Sequence, residues 1–69
     1  MFNSQMLKAE LVVRGKTLDF LADLLSISRS TVSKKVNGKN EWTLSELQKL
    51  GCFLGQEKMS EIFFAQKVS

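Results

Sequence analysis

The sequence predicts an all-α, compact four- to five-helix domain, and three observations predict it. No proline interrupts the 69 residues, so helix ends have to be marked by glycine and by capping side chains. Leucine and valine recur at spacings of three and four instead of alternating, which is the period of a helix with one buried face. Each apolar repeat is preceded by Asn, Ser or Thr and followed by glycine or a short polar stretch.

Taken in order, Asn3 or Ser4 caps a first helix running to about Arg14, with Leu7 and Leu11 as its inward stripe and Gly15 as its stop. Thr17 caps a second helix of about Leu18 to Leu25, in which Leu18, Leu21, Ala22 and Leu25 share one face and Asp19 and Asp23 lie toward solvent. Ser28 caps a third, from about Arg29 to Val36, ended by Asn37 and Gly38, both of which tolerate the left-handed conformation. After a loop to Trp42, Thr43 and Glu46 form a capping box for a fourth helix carrying Leu44, Leu47, Leu50 and Leu54 and stopping at Gly55. Trp42 is placed to staple onto Leu47. A fifth element, about Glu57 to Ala65, holds Met59, Ile62, Phe63 and Phe64; Ile62 to Val68 also fits an extended strand, and helix is the assignment taken here. No repeat or low-complexity linker divides the chain, so residues 1–69 read as one domain. The leucines, Ala22, Ile27 and Val32 are expected in the core, Cys52 as a small buried hydrophobe, and Lys49 and Lys58 in solvent.

Composition narrows the function. Hydrophobic residues at 43% and charged ones at 25% are ordinary for a globular domain, and no apolar run approaches a membrane span. One cysteine, Cys52, closes no intrachain disulfide, and without histidine a metal site lacks its usual ligands. With no tyrosine either, most acid-base and nucleophile chemistry is missing, so no catalytic residue, cofactor, metal or small-molecule substrate is expected. The start Met1-Phe2-Asn3-Ser4 lacks the basic and apolar regions of a secretory signal, so the expected location is the cytoplasm.

The formal charge of +3 is unevenly placed. Arg29, Lys34, Lys35 and Lys39 fall between Leu24 and Asn40 with no acid among them, while the rest carries six bases against seven acids. A basic segment in a balanced small domain suits attraction to a polyanion, although solvated lysine faces are common. Two short helices three residues apart, the second basic, form the arrangement of a helix-turn-helix over about 17–36. Ala22 lies where the helices cross closely, Ile27 fills the turn, and Val32 packs back beneath it.

Thr17-Leu18-Asp19-Phe20-Leu21-Ala22 followed by Ile27-Ser28-Arg29-Ser30-Thr31-Val32-Ser33-Lys34 resembles the phage Cro and repressor-type helix-turn-helix regulators. The continuation Asn37-Gly38-Lys39, Trp42 to Glu46, and Ile62-Phe63-Phe64 is similar to short regulators of Gram-positive phages and prophages. Three positions depart from that pattern. Ser26 stands where glycine is usual, Leu18 where a phosphate-binding glutamine is common, and Phe20 where a polar residue is common.

The resemblance implies a lambda repressor-like DNA-binding domain whose third helix enters the major groove. Ser28, Arg29, Ser30, Ser33 and Lys34 are then the base readers; Arg29 leads them, since its planar fork matches guanine O6 and N7. Thr17, Lys35, Asn37, Gly38, Lys39 and Asn40 are expected to hold the sugar-phosphate backbone. The implied role is a transcriptional repressor in a bacterial host, associated with the nucleoid, acting by occupying an operator in double-stranded DNA. The antidote half of a toxin-antidote pair, or an antirepressor that binds protein through Phe63 and Phe64, are the rivals on the same fold. One recognition helix reads too few base pairs to find one site in a genome. Met59, Ile62, Phe63, Phe64 and Val68, within a C-terminal element of about 57–69, are therefore expected to form, at least in part, a two-fold homodimer that sets recognition helices about 34 Å apart, the alternative being that Ile62 and Phe63 complete the core of the single chain.

Overall fold

The computed structural model describes residues 2–64, and among them every regular element is helical. Asn3 accepts the Met6 N–H at 3.0 Å and caps α1, Ser4–Val13. Thr17, Ser28 and Thr43 cap α2 (Leu18–Leu25), α3 (Arg29–Val36) and α4 (Leu44–Leu54) in the same way. At Thr43 the Glu46 carboxylate accepts the Thr43 N–H in return, completing the expected capping box. The chain then turns at Gly55 into α5 (Gln56–Met59) and a π-helical segment, Ser60–Phe64. The fifth element is thus helical over its described part; Ala65 and Val68 lie outside the described residues.

The first three helices end alike. Gly15, Ser26 and Gly38 are left-handed, with φ of 69°, 58° and 79°. The amides one residue later, on Lys16, Ile27 and Lys39, reach back to the carbonyls of Leu11, Ala22 and Lys34 at 2.9, 3.1 and 2.8 Å. Each closure satisfies carbonyls that a helix end leaves without partners. Asn37 keeps φ at −86°, so Gly38 alone takes the left-handed position there.

Around one core, α2 packs on α3 and α4, while α1 packs on α3 and the π-helical segment. Leu7, Leu11, Leu21, Leu25, Val32, Val36, Leu50 and Leu54 are buried in it. Two polar ties fix its edges. The Ser4 hydroxyl donates to the Val36 carbonyl at 2.6 Å, joining the start of α1 to the end of α3. Arg14 donates to the carbonyls of Phe53 and Leu54 at the end of α4 and lies over the Phe53 ring.

The C-terminal segment corrects the dimer assignment. Met59, Ile62 and Phe63 are buried in the core of the single chain, and Ile62 is wholly inaccessible. Gly55, at φ 92°, lets the chain fold back over α4, and the Asn3 N–H donates to the Ile62 carbonyl at 2.6 Å. A π-helical turn is wider than an α-turn, and here the consecutive residues Ile62 and Phe63 both face inward. Phe63 stacks on Phe2 at 5.0 Å and meets the edge of Trp42 at 5.5 Å, so Trp42 completes an aromatic cluster. Phe64 remains 57% exposed.

Two further core assignments change for helical reasons. Leu44 is 71% exposed, since it lies about a quarter turn from the stripe of Leu47, Leu50 and Leu54. Cys52 is exposed because it points away from that stripe altogether.

Ile62→Ala should therefore destabilise the single chain by about 2–4 kcal/mol, the range for truncating a fully buried aliphatic side chain. Phe64→Ser should change stability by less than about 0.5 kcal/mol, as surface substitutions do. Urea unfolding followed by circular dichroism measures both, and equal losses would contradict this burial pattern.

Candidate nucleic-acid interface

The α2–turn–α3 unit is aimed by three residues. Ser26 adopts φ 58°, ψ 42°, and its N–H and that of Ile27 bond back to carbonyls of α2. A left-handed side-chain-bearing residue costs about 1 kcal/mol or more, and Ser26 accepts that conformation where the sequence lacks glycine. Ile27 then tucks against the core and Ser28 opens α3.

Along α3, Val32, Lys35 and Val36 face inward while Ser28, Arg29, Ser30 and Lys34 are exposed. Ser28 spends its hydroxyl on the helix start: Oγ accepts the Thr31 N–H at 3.2 Å and lies 2.8 Å from the Thr31 hydroxyl and 3.3 Å from that of Ser30. Ser33 is half-buried and its carbonyl accepts from Asn37 Nδ2 at 2.8 Å. Arg29 and Lys34 thus supply the long donors of the outward face. Asp19 of α2 ion-pairs with Arg29, Oδ1 to Nε at 3.0 Å.

Thr17, Asn37, Gly38, Lys39 and Asn40 are exposed around the ends of α2 and α3. Thr17 accepts the Phe20 N–H, so the cap that opens α2 occupies its hydroxyl. Phe20, the unusual aromatic of α2, packs on Phe53 at 4.9 Å with the Lys16 ammonium 4.8 Å over its ring.

Lys35 does not join this group, which corrects its assignment to the phosphate backbone. It is only 7% exposed, and Nζ donates to the Glu46 carboxylate and the Glu41 carbonyl, both at 2.8 Å. The reason is periodicity: Lys35 stands three residues after buried Val32, so its stem follows the inward face and its ammonium needs a buried partner. That spacing was readable in the sequence. Glu46, Ser4 and Asp19 are the residues that sequence reasoning left without a part in the site, and only for Glu46, an acid in a capping box, was there a signal.

Glu46 locks the α3–α4 loop. Its Oε1 accepts from Lys35 Nζ at 2.8 Å and from the Thr43 N–H at 2.9 Å. Burial works to raise its pKa, but the hydrogen bonds from Lys35 and Thr43 and the Lys35 charge outweigh it and hold the pKa below the ordinary 4.5. A carboxylate with a lowered folded-state pKa contributes stability that is complete above its unfolded pKa and disappears as pH falls through the folded one. Glu46→Gln should accordingly cost about 1–3 kcal/mol at pH 7, since it strands the Lys35 charge. The gap between variant and wild type should narrow on acidification below the ordinary carboxylate range, as read from urea midpoints at a series of pH values. A gap constant with pH would refute the ionised pair.

Among the described residues no group of His, Cys, Asp and Glu is arranged to hold a metal ion, and no helix is long and apolar enough to cross a membrane. No curated protein and no solved structure gives a significant match to the chain. The family model described as helix-turn-helix does match, over residues 7–62, which spans α1 to the π-helical segment and includes the whole α2–turn–α3 unit. The chain belongs to the helix-turn-helix family, a family of domains that bind double-stranded DNA and regulate transcription.

Proposed function

We propose that this chain is a sequence-specific regulator that represses transcription by occupying a promoter operator, with α3 in the major groove. The single observation that carries this reading is the exposed face of α3. Arg29, Ser30 and Lys34 stand there without a competing acid on the same helix, while Val32, Lys35 and Val36 hold the opposite face against the core. Arg29 reads a base edge, Lys34 a base or a phosphate, and Ser30 either. Ser28 and Ser33 act chiefly by shaping the helix that presents them. Thr17, Asn37, Lys39, Asn40 and the Gly38 backbone hold phosphates on either side. The sequence resemblance makes a phage or prophage switch, working on the nucleoid of a bacterial host, the natural setting.

Binding-site selection from random duplex DNA tests the reading, and an unenriched pool would overturn it. On the selected site, Arg29→Ala should lose about 1–3 kcal/mol and relax discrimination at one base position. Lys39→Ala should weaken binding evenly over all sequences and lower the salt slope by about one unit. Competition assays across single-base variants at several salt concentrations separate the two outcomes.

The operator is proposed to be two inverted half-sites bound by a homodimer. With Met59, Ile62 and Phe63 committed to the core, Phe64 and Leu44 are the exposed apolar side chains beside the C-terminal segment that can make the contact; the other large exposed ones, Val12 and Val13, lie at the end of α1. They flank an apolar groove of about 510 Å³ between α4 and the C-terminal segment, lined also by Leu47, Gly51 and Met59. The same groove favours the second reading, a toxin-antidote or antirepressor role in which another protein occupies it. Sedimentation with and without operator decides: wild type should form a dimer on DNA, and Phe64→Ser should stay folded while dimerising more weakly. A wild type that binds its operator only as a monomer would exclude the homodimer.

A further inference from the structure

We infer that Asp19 is a positioning residue for Arg29, fixing which edge of its guanidinium meets a base and sharpening specificity there; the inference rests on the reading of Arg29 as a base reader. Asp19 is the second residue of α2 and Arg29 the first of α3. The turn closed at Ser26 brings them together, with Asp19 Oδ1 3.0 Å from Arg29 Nε. No other ion-pair or hydrogen-bond partner of Arg29 is found among the described residues.

The chemistry of arginine makes the point of attachment informative. Its five N–H donors lie in one plane, one on Nε and two on each terminal nitrogen. The Asp19 carboxylate meets Arg29 as an ion pair beside Nε, without the alignment of a hydrogen bond. The Nη1 and Nη2 end, which presents the paired donors suited to O6 and N7 of guanine, has no hydrogen-bond partner among the described residues. Holding the group from behind reduces the conformational freedom lost when it meets a base. Asp19 also cancels the charge of Arg29 locally, which weakens its attraction to phosphates at any sequence. Both effects favour the correct site over random DNA.

Stability does not explain the pair. Its side chains are 66% and 75% exposed, a setting in which ion pairs contribute little. The competing role for Asp19 is as an acid in the first turn of α2, favourable to the helix dipole. A residue serving only α2 would move the melting temperature and leave base discrimination alone.

The test compares wild type, Asp19→Asn, Asp19→Glu, Arg29→Ala and the Asp19→Asn/Arg29→Ala double variant on the selected operator, its single-base variants and random duplex. Asp19→Asn should lower discrimination about five-fold, a size usual for coupled neighbours, at the base position that Arg29→Ala relaxes. It should also tighten binding to random duplex and steepen its salt slope by about one unit. Asp19→Glu keeps the charge for α2 but shifts the carboxylate, and should lose discrimination too. The double variant should discriminate no worse than Arg29→Ala. Wild-type discrimination in Asp19→Asn or in Asp19→Glu, while Arg29→Ala relaxes its base position, would overturn the positioning role and leave the reading of Arg29 standing. Unchanged discrimination in Arg29→Ala would instead remove the base reader, and the inference with it.

Discussion

The left-handed reversal at Ser26 is the constraint on which the DNA-facing surface depends. With two amides bonded back to α2, the chain has no freedom to choose the angle at which α3 leaves. That angle puts Val32 and Val36 in the core and, by the helical period, Arg29 and Lys34 outside it. It also brings the first turn of α2 alongside the first residue of α3, which is why Asp19 and Arg29 meet. A side-chain-bearing residue in that conformation is strained; the surrounding contacts of Ile27 and Ala22 with the core hold it there.

Repetition of one closure gives a small chain its economy of loops. Gly15 and Ser26 reverse the chain within connections of four and three residues, so little of the sequence is left as unsupported loop between α1, α2 and α3. The longer α3–α4 connection cannot rely on such a closure alone, and it is the one braced by a buried ion pair. Lys35 and Glu46 hold Glu41 and Thr43 from inside, which leaves Lys39 and Asn40 exposed on the outer side of a fixed loop. A buried pair of this kind adds less to net stability than two apolar residues of similar volume. Its value is that a loop with polar backbone groups acquires one conformation.

The C-terminal segment shows the limit that size imposes. Four short helices leave their core open between α1 and α4, and Met59, Ile62 and Phe63 close it. Large apolar residues near the end of a small domain are as useful for completing its core as for meeting a second copy, and composition does not distinguish these uses. The aromatic cluster of Phe2, Trp42 and Phe63 draws on both ends of the described chain and on the α3–α4 loop, so it forms only when all three are in place.

The sequence by itself determined the helices, their caps and the helix-turn-helix, because these follow from contacts within a few residues. Asn3, Thr17, Ser28 and Thr43 cap the helices they precede, and Gly15 and Gly38 end theirs as their conformational freedom predicts. Even the oddity at Ser26 was visible as a missing glycine. Tertiary structure decided which of several chemically equivalent residues went where. Lys34 and Lys35 are adjacent and alike, yet one is exposed and the other is buried against Glu46, eleven residues on. Phe63 and Phe64 are identical side chains, and a π-helical turn buries the first and exposes the second. The spacing of Lys35 from Val32 gives its inward direction, but its partner Glu46, like the wide turn that separates Phe63 from Phe64, is set by another part of the chain. The approach of Asp19 to Arg29 belongs with them: both residues were legible, and only the angle between two helices made them neighbours.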